Sequence, residues 1–347
     1  MRKSRWLIVP LIAGAALVGA AAPGLGSGLF EASEPLEIRI EAPWRHLTRE
    51  MVAGRSVEGR LHVLTRDLES ANLRVTITTR GTARLDVCDF PPLTLEFQPE
   101  EIPGSPFLEQ DTIHLTTQCR KDIRFRDHLV LEYLSYQAYR LLGEPALGAR
   151  LASVEYLGTE GKRAANPARA FFVEDLGLAA ERFGGVWLEP TTVEVDALAA
   201  DSLALLGLFQ FMLGNTDWSV LRGPPGEPCC HNVAILGPER AGVHLIPVPF
   251  DLDCTGLVDP PYAAPAAGLP IRTVRQRVYR GFCKSNTYLP GAIARFRAQR
   301  AQILALFEDE PLLSTAAKRR TRKYLDSFFE ILEDPEKLQK RILDHCR

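Results

Sequence analysis

The stretch LRVTIT at residues 73–78 alternates apolar and polar side chains, which is the pattern of a β-strand with one buried face. The same period recurs in LEIRI at residues 36–40 and in LTLEF at residues 93–97. Glycine and proline residues separate these stretches, as expected at turns. The pattern therefore predicts a mainly antiparallel sheet over residues 35 to about 120.

A helix is predicted after this sheet, because apolar residues recur at helical spacing from Phe125 to Leu142 and Gly143 provides a natural end. Two further strands are predicted at residues 152–157 and 170–174. These elements would complete a β-rich N-terminal lobe, with one helix, that spans residues 35–175.

The rest of the chain, residues 176–347, is predicted to be mainly helical. An apolar helix is expected at residues 196–214, amphipathic helices at 312–332 and 335–346, and a short hairpin at 233–248. Strands followed by helices indicate an α+β fold with two segregated lobes. A cleft between the lobes is the expected ligand site.

The composition is that of an ordinary globular protein, with 347 residues, 46% of them hydrophobic, and a formal net charge of -2. Such a nearly balanced charge gives no electrostatic indication of a nucleic-acid partner. The length allows a large buried core.

Residues 1–22 have the form of a secretory signal, with a basic start, an apolar run and small residues at 20–22. An uncleaved anchor is the alternative, and a membrane is a partner only in that case. The mature protein is therefore predicted to be periplasmic, extracellular or held at the cell surface. Its seven cysteines predict one or more disulfides and at least one unpaired thiol, whereas a zinc site lacks the usual ligand spacing.

Four oxygen-bearing residues stand beside apolar runs in the second half of the chain: Asp217, Asn232, Asp251 and Asp253. In phosphoryl transfer, one carboxylate orients the attacking hydroxyl, while an asparagine and a second carboxylate hold the divalent ions that bridge the phosphates. Asp217 is the candidate for the first role. Asn232 and Asp251 are candidate ligands for Mg²⁺ or Mn²⁺, and Asp253 is a further ligand or a support for one.

Simpler roles are open to the same residues. Asn215 and Asp217 follow a predicted helix and would equally end it through local backbone hydrogen bonds. His231 is either a turn residue or, in a metal-dependent hydrolase, the general base. Two carboxylates as close as those of Asp251 and Asp253 repel each other, so a cation between them is the economical explanation.

An arginine cluster follows a long proline- and glycine-rich stretch at residues 254–270. It would either clamp an anion or form a solvated helix face supported by local charge pairs. The cluster contains Arg272, Arg275, Arg277 and Arg280.

The span from about residue 36 to 257 resembles the CotH family of secreted, atypical protein-kinase-like proteins. The resemblance rests on VTITTRG at 75–81, PLTLEF at 92–97, FVED at 172–175 and the constellation between residues 215 and 253. It implies a two-lobed protein-kinase-like fold. In that fold Asp217 matches the catalytic aspartate, Asn232 the metal-binding asparagine, and Asp251 the aspartate that opens the activation segment.

The chain departs from the family where a strand usually supplies a lysine for the nucleotide phosphates, because residues 94–96 read TLE. Glu96 would repel phosphates unless Arg80, Arg84 or Arg120 reaches in from a neighbouring strand or turn. A different cation is therefore needed for nucleotide binding.

Three residues complete the predicted cofactor site. Arg80 is a candidate phosphate contact, Glu132 either orients the phosphate-binding cation or is a solvated helix position, and Glu174 lies in the segment similar to the family's linker between lobes. The leading hypothesis is an exported kinase-like phosphotransferase that moves a phosphoryl or nucleotidyl group from ATP or another nucleoside triphosphate to a protein or small hydroxyl acceptor. A catalytically silent binding module and a metal-dependent hydrolase are the alternatives.

Overall fold

The structure, a computed structural model, describes residues 28–49, 51–64, 69–81, 83–159, 169–238 and 242–347. The predicted signal segment at residues 1–22 lies outside these ranges. Among the helices within them, none combines the length and the apolar character needed to cross a membrane.

The N-terminal part of the described chain contains seven strands: β1 (Leu36–Ala42), β2 (Ser56–Leu64), β3 (Glu69–Thr79), β4 (Leu93–Phe97), β5 (Thr112–Thr117), β6 (Ala149–Gly158) and β7 (Arg169–Val173). They close into a barrel in the order β1-β2-β3-β4-β5-β7-β6. The first strand pairs antiparallel with β2 and parallel with β6, where Ile38 lies opposite Val154. This parallel pairing closes the sheet.

The prediction of a two-lobed protein-kinase-like fold with a mainly antiparallel N-terminal lobe is wrong. The structure instead has a closed mixed barrel and a C-terminal helical region. Alternating hydrophobicity specifies which face of a strand is buried, but it does not specify which strands pair. The partner that closes the barrel on β1 comes after the helix at residues 123–142, so no local pattern connects the two strands.

The barrel interior is filled by the apolar residues whose alternation predicted the strands. In β3, the side chains of Leu73, Val75 and Ile77 are buried, whereas those between them are more exposed. In β4 the same alternation leaves Glu96 exposed on the outer face. The interior positions therefore form one apolar core, as in other small closed barrels.

Strand β2 was not predicted, because Gly59 at its centre resembles a turn residue. A Cβ atom at this position would lie 2.7 Å from the carbonyl oxygen of Glu41 and 2.7 Å from Cδ1 of Ile77. Only glycine allows neighbouring strands to approach this closely. Gly59 therefore belongs to the packing of the barrel and not to a chain break.

The helices of the described chain are α1 (Trp44–Thr48), α2 (Ile123–Leu142), α3 (Leu176–Arg182), α4 (Ala200–Leu213), α5 (Leu289–Asp309), α6 (Thr315–Glu333) and α7 (Pro335–Arg341). A second, antiparallel sheet contains β8 (Val186–Leu188), β9 (Val233–Gly237) and β10 (Ile246–Pro249). The predictions of α2, α4, α6, α7 and the β9–β10 hairpin are confirmed.

Helix α2 packs against α5 as well as β6 and β7, so it joins the barrel to the helical region. The domain boundary predicted at residue 175 falls between β7 and α3.

Three disulfides are present in the described chain: Cys88–Cys119, Cys229–Cys230 and Cys283–Cys346. Cys254 is a free thiol. The prediction of disulfides with an unpaired cysteine is therefore confirmed. The first bridge ties the loop between β3 and β4 to the end of β5, and the second directly precedes His231.

Removal of the Cys88–Cys119 bridge by the paired substitution Cys88→Ser and Cys119→Ser is expected to lower the free energy of unfolding by about 2–4 kcal/mol, because the bridge restricts the unfolded chain. Urea denaturation of the oxidised proteins measures the difference. The Cys254→Ser variant is the control, since it removes a thiol without removing a bridge. An unchanged unfolding midpoint in the paired variant would contradict the expectation.

Candidate functional site

The C-terminal end of α4 positions Asp217. The helix ends at Gly214, whose φ of 66° is left-handed. The side-chain oxygen of Asn215 then accepts a hydrogen bond from the backbone N–H of Asp217 at 2.8 Å. Asn215 therefore has the local turn role, whereas the carboxylate of Asp217, 39% exposed, remains available for other contacts.

The β9–β10 hairpin positions Asn232 and Asp251 at the same end of the second sheet. Val233 pairs with Pro249, and the backbone N–H of Phe250 donates to the carbonyl oxygen of Asn232 at 3.2 Å. Asn232 and Asp251 have φ values of 53° and 52°, a left-handed conformation that asparagine and aspartate tolerate better than most residues. Such backbone strain tends to cluster at functional sites.

Direct contacts join this hairpin to the Asp217 loop. Nδ2 of Asn232 donates to the carbonyl oxygen of Asp217 at 2.8 Å and to its Oδ2 at 3.2 Å. With Nδ2 used in this way, Oδ1 of Asn232 is its remaining polar atom. Asp217 and Asp251 are also close enough to influence each other electrostatically. The three residues assigned to catalysis and metal binding therefore converge.

His231 also contacts Asp217. Its Nε2 lies 2.7 Å from Oδ1 of Asp217, and this hydrogen bond raises the pKa of His231 above its ordinary value. The backbone N–H of His231 donates to Ser219, which brings the two chain segments together. His231 is therefore a member of the site and more than a turn residue.

The carboxylate of Asp251 has neither a hydrogen bond nor an ion pair with any described residue. Its backbone N–H donates to the hydroxyl of Tyr136 at 2.8 Å, which fixes the main chain and leaves the side chain unpartnered. Burial and the nearby Asp253 raise the pKa of Asp251 to about 6. A half-buried carboxylate without a partner is costly, and a bound cation would relieve that cost.

Asp253 has a different environment, because it is paired with an arginine. Nε of Arg84 donates to Oδ2 of Asp253 at 2.9 Å, and Nη2 of Arg84 donates to Oε2 of Glu132. The side chains of all three residues are at most 10% exposed. Although burial opposes its charge, Glu132, Tyr262 and Asp253 hold the pKa of Arg84 well above its ordinary value. Asp253 therefore supports the site through Arg84.

Arg84 is one of the three arginines considered in place of the missing lysine, and two carboxylates hold it. It follows β3 in a loop held by the Cys88–Cys119 bridge, and it pairs with Glu132 on α2, as expected for a carboxylate that orients a cation. Arg120, by contrast, donates to the carbonyl oxygen of Val87 and contacts Phe125. Of the three arginines considered, Arg120 is thus assigned to local structure.

Arg80 is a second cation beside the site. It is close enough to Asp251 to lower the pKa of that carboxyl, yet it forms no ion pair with a described residue. Its Nε is buried and has no hydrogen-bond partner among the described residues. Arg80 therefore has an unused donor and a positive charge next to the candidate cation site, which are the features that an anionic phosphate would need.

Glu174 is not brought to this site. Its carboxylate accepts hydrogen bonds from the backbone N–H of Gly148 and from Nη2 of Arg182, both at 2.7 Å. These contacts join the end of β7 to the chain before β6 and to α3. Glu174 therefore has a structural environment, and the structure gives no contact between it and the Asp217 cluster.

Two tyrosines of the site were missed by the sequence analysis. Tyr136 lies one helical turn after Glu132 on α2, so the helical spacing contained the signal that both face the same side. Tyr262 lies in the irregular stretch at residues 254–270, and its ring is 5.9 Å from the guanidinium carbon of Arg84. No periodic pattern indicates the position of a residue in such a stretch.

The donor set fits Mg²⁺ or Mn²⁺ in part. Within the described residues there is no group of three or more histidines, cysteines, aspartates and glutamates that could hold a metal ion. Mg²⁺, however, is usually held by one or two carboxylates, with water and substrate phosphates as the other ligands. Asp251 and Oδ1 of Asn232, at the same end of the second sheet, are oxygen donors of that kind.

No protein-family model matches the chain, and no curated protein matches it. The functional argument therefore depends on the geometry of the site itself.

Proposed function

We propose that this protein is an exported phosphotransferase that moves a phosphoryl group from a nucleoside triphosphate to a hydroxyl acceptor. The convergence of Asp217, Asn232 and Asp251 is the observation that carries the proposal. Phosphoryl transfer requires mainly positioning and charge neutralisation, for which an oriented carboxylate and a cation site are the central parts. The three disulfides support the exported location, because such bonds persist in oxidising compartments.

In this proposal each side chain has one role. Asp251 and Oδ1 of Asn232 hold the divalent ion, whose chemistry is to neutralise the charge of the phosphates. Asp217 orients the acceptor hydroxyl and accepts its proton. The hydrogen bonds from Asn232 and His231 fix the carboxylate in position for that transfer.

The two arginines have separate roles. Arg80 provides a guanidinium for the transferred phosphate, since it has no carboxylate partner among the described residues. Arg84 is a positioning residue, because Glu132 and Asp253 both hold it. It fixes the chain around residues 251–253 relative to α2.

The resemblance to the CotH family is part of the same proposal, limited to the matching of Asp217, Asn232 and Asp251.

ATP with Mg²⁺ is expected to raise the thermal unfolding temperature of the wild-type protein, because a ligand bound only by the folded state adds about 2.7 kcal/mol at a hundredfold excess over its Kd. The Asp217→Asn variant should keep this increase in unfolding temperature. Its rate of labelled-phosphate transfer should fall about a hundredfold, since only the proton acceptor is removed. Exposed Asp201→Asn is the matched control. No shift at millimolar ATP would contradict nucleotide binding, and equal transfer would exclude Asp217 as the base.

A second candidate function is hydrolysis, in which water replaces the hydroxyl acceptor at the same site. The 2.7 Å contact between His231 and Asp217 favours it, because a carboxylate commonly orients a histidine that serves as general base. The two functions differ in their dependence on an acceptor. Phosphate release from the triphosphate without any acceptor, lost in His231→Gln, would favour hydrolysis.

A further inference from the structure

A strongly basic cavity lies on the helical region. It has a volume of about 890 Å³ and is lined by the chain at residues 269–280, part of α6, and residues near the C-terminal end. Its lining contains one acidic side chain, that of Glu330, and six cationic ones. The six are Arg275, Arg277, Arg280, Lys337, Arg341 and Arg347.

A second cavity, of about 830 Å³, adjoins the first. The two share Arg275, Ser327 and Glu330 in their linings, so they form one continuous depression, which we call the basic groove. Helix α6 contributes five further cations to the basic groove, whereas this second cavity adds only two carboxylates, those of Glu308 and Asp326. These cations are Lys318, Arg319, Arg320, Arg322 and Lys323.

Much of this positive charge has no local counter-charge. Arg322 pairs with Glu308 and Asp326, Arg275 pairs with Asp259, and Lys337 pairs with Asp334. Arg319 and Lys323, by contrast, form no ion pair with a described residue. The whole chain has a net charge of only -2, so the groove concentrates positive charge in one part of a nearly neutral protein. A concentration of one charge in a concave surface focuses the field and attracts ions of the opposite sign.

Burial and neighbouring cations lower the pKa values of two arginines in the floor of the groove. Burial and the neighbouring Arg280 lower the pKa of Arg347 to about 10. Burial, with Arg275 and Arg341 nearby, lowers that of Arg277 to about 10 as well. An anion bound here would offset the repulsion.

Hydrogen bonds hold the floor of the groove, whereas its rim carries exposed cations. Arg277 donates to the carbonyl oxygens of Met212 and Tyr324 at 3.1 and 2.7 Å, which locks it against the end of α4. Arg280 donates to the carbonyl oxygen of Thr216. These residues are not on a helix, contrary to the sequence-based reading of the arginine cluster as a helix face. Exposed cations such as Lys323 and Arg341 surround them, and Nη2 of Arg341 donates to the carbonyl oxygen of Arg277 at 3.3 Å.

We propose that the basic groove binds an acidic peptide segment, one rich in aspartate and glutamate or in phosphorylated residues. Arginine forks bind both carboxylates and phosphates with paired hydrogen bonds. Two adjoining concave cavities suit an extended flexible chain better than a flat surface such as a membrane. The inference goes beyond the phosphotransfer proposal and does not depend on it, because binding at the groove requires no catalysis.

Fluorescence anisotropy of the full chain tests this inference with three labelled peptides: oligoglutamate, a phosphoserine-rich peptide and oligoglutamine. Both acidic peptides should bind, and added salt should lower their affinity. The paired substitution Lys323→Gln and Arg341→Gln should raise their Kd about tenfold. The control is Arg45→Gln with Arg49→Gln, an equal charge change on exposed residues at α1.

Several results would overturn the inference. These are equal binding of oligoglutamine and oligoglutamate, an equal loss in the control variant, or tighter binding of anionic lipid vesicles or single-stranded DNA than of either peptide. Circular dichroism confirms that the variants fold. If the first variant unfolds, Arg319→Gln with Arg320→Gln, both exposed on α6, provides the same measurement. The ratio of the two acidic peptides' affinities identifies carboxylate or phosphate as the preferred group.

Discussion

The Asp251→Asn variant is expected to lose Mn²⁺ binding and to transfer phosphate about a thousandfold more slowly than the wild-type protein, because the metal contributes several kcal/mol of charge stabilisation. Asparagine keeps the size of the side chain and tolerates the left-handed backbone at φ 52°. The substitution therefore removes charge with little added strain. Isothermal titration with Mn²⁺ and labelled-phosphate transfer measure the two losses.

Asp259→Asn is the matched control for this variant. Asp259 also has a left-handed backbone, with φ 54°, but it is exposed and pairs with Arg275 outside the site. The control should bind Mn²⁺ as the wild-type protein does. Equal Mn²⁺ affinity in Asp251→Asn and Asp259→Asn would contradict the assignment of Asp251 as a ligand.

The same assignment predicts a pH dependence for the wild-type protein. Burial and Asp253 raise the pKa of Asp251 to about 6 in the absence of metal, and only the ionised carboxylate binds a cation. Mn²⁺ affinity should therefore fall as the pH is lowered through 6, and Asp251→Asn should not show that step. In the metal-free protein the sign for stability is opposite: the raised pKa favours the folded state at low pH, and this contribution is lost as the pH rises through 6.

Local patterns predicted the elements of this fold well. The alternation in residues 73–78 and 93–97 gave β3 and β4 with the correct buried faces, and the helical spacing from Phe125 to Leu142 gave α2. The arrangement of these elements was not predictable in the same way. The parallel pairing of β1 with β6 depends on packing between distant segments. Strand β2 was missed because Gly59 resembles a turn residue, whereas the glycine is required there by close contacts with neighbouring strands.

The candidate site shows the same limit. Asp217, Asn232 and Asp251 were identifiable because each lies beside an apolar element, which predicts a rigid support for a polar residue. Arg84 was only one of three candidate cations, since it lies in a loop whose position depends on the bridge at Cys88. Only the three-dimensional structure distinguishes Arg84, which is buried between two carboxylates, from the other two arginines.

Replacing Arg84 with methionine is expected to lower the free energy of unfolding by about 3–5 kcal/mol, because removing one member of a buried ion pair leaves its partners with uncompensated charge. Glu132 and Asp253 are the two carboxylates affected, and both side chains are at most 10% exposed. Burial raises the pKa of Glu132 to about 8, so urea denaturation above that pH, where both carboxylates are ionised, measures the full loss. The pair Arg84→Met with Glu132→Gln should recover part of it, since one of the two stranded charges is then removed.

The pH dependence separates this charge effect from a simple loss of packing. Burial raises the pKa of Glu132 to about 8, and Arg84 holds the pKa of Asp253 below its ordinary value despite burial. Without Arg84 both pKa values should rise, so protonation of the two carboxyls at low pH removes the unpaired charges. The deficit of Arg84→Met relative to the wild type should therefore shrink as the pH falls and grow as it rises. Arg74→Met, which breaks an exposed pair with Glu101, should show a small deficit with little pH dependence. A deficit in Arg84→Met that stays constant with pH would instead indicate lost packing, and Arg84 would then not be the cation that organises the site.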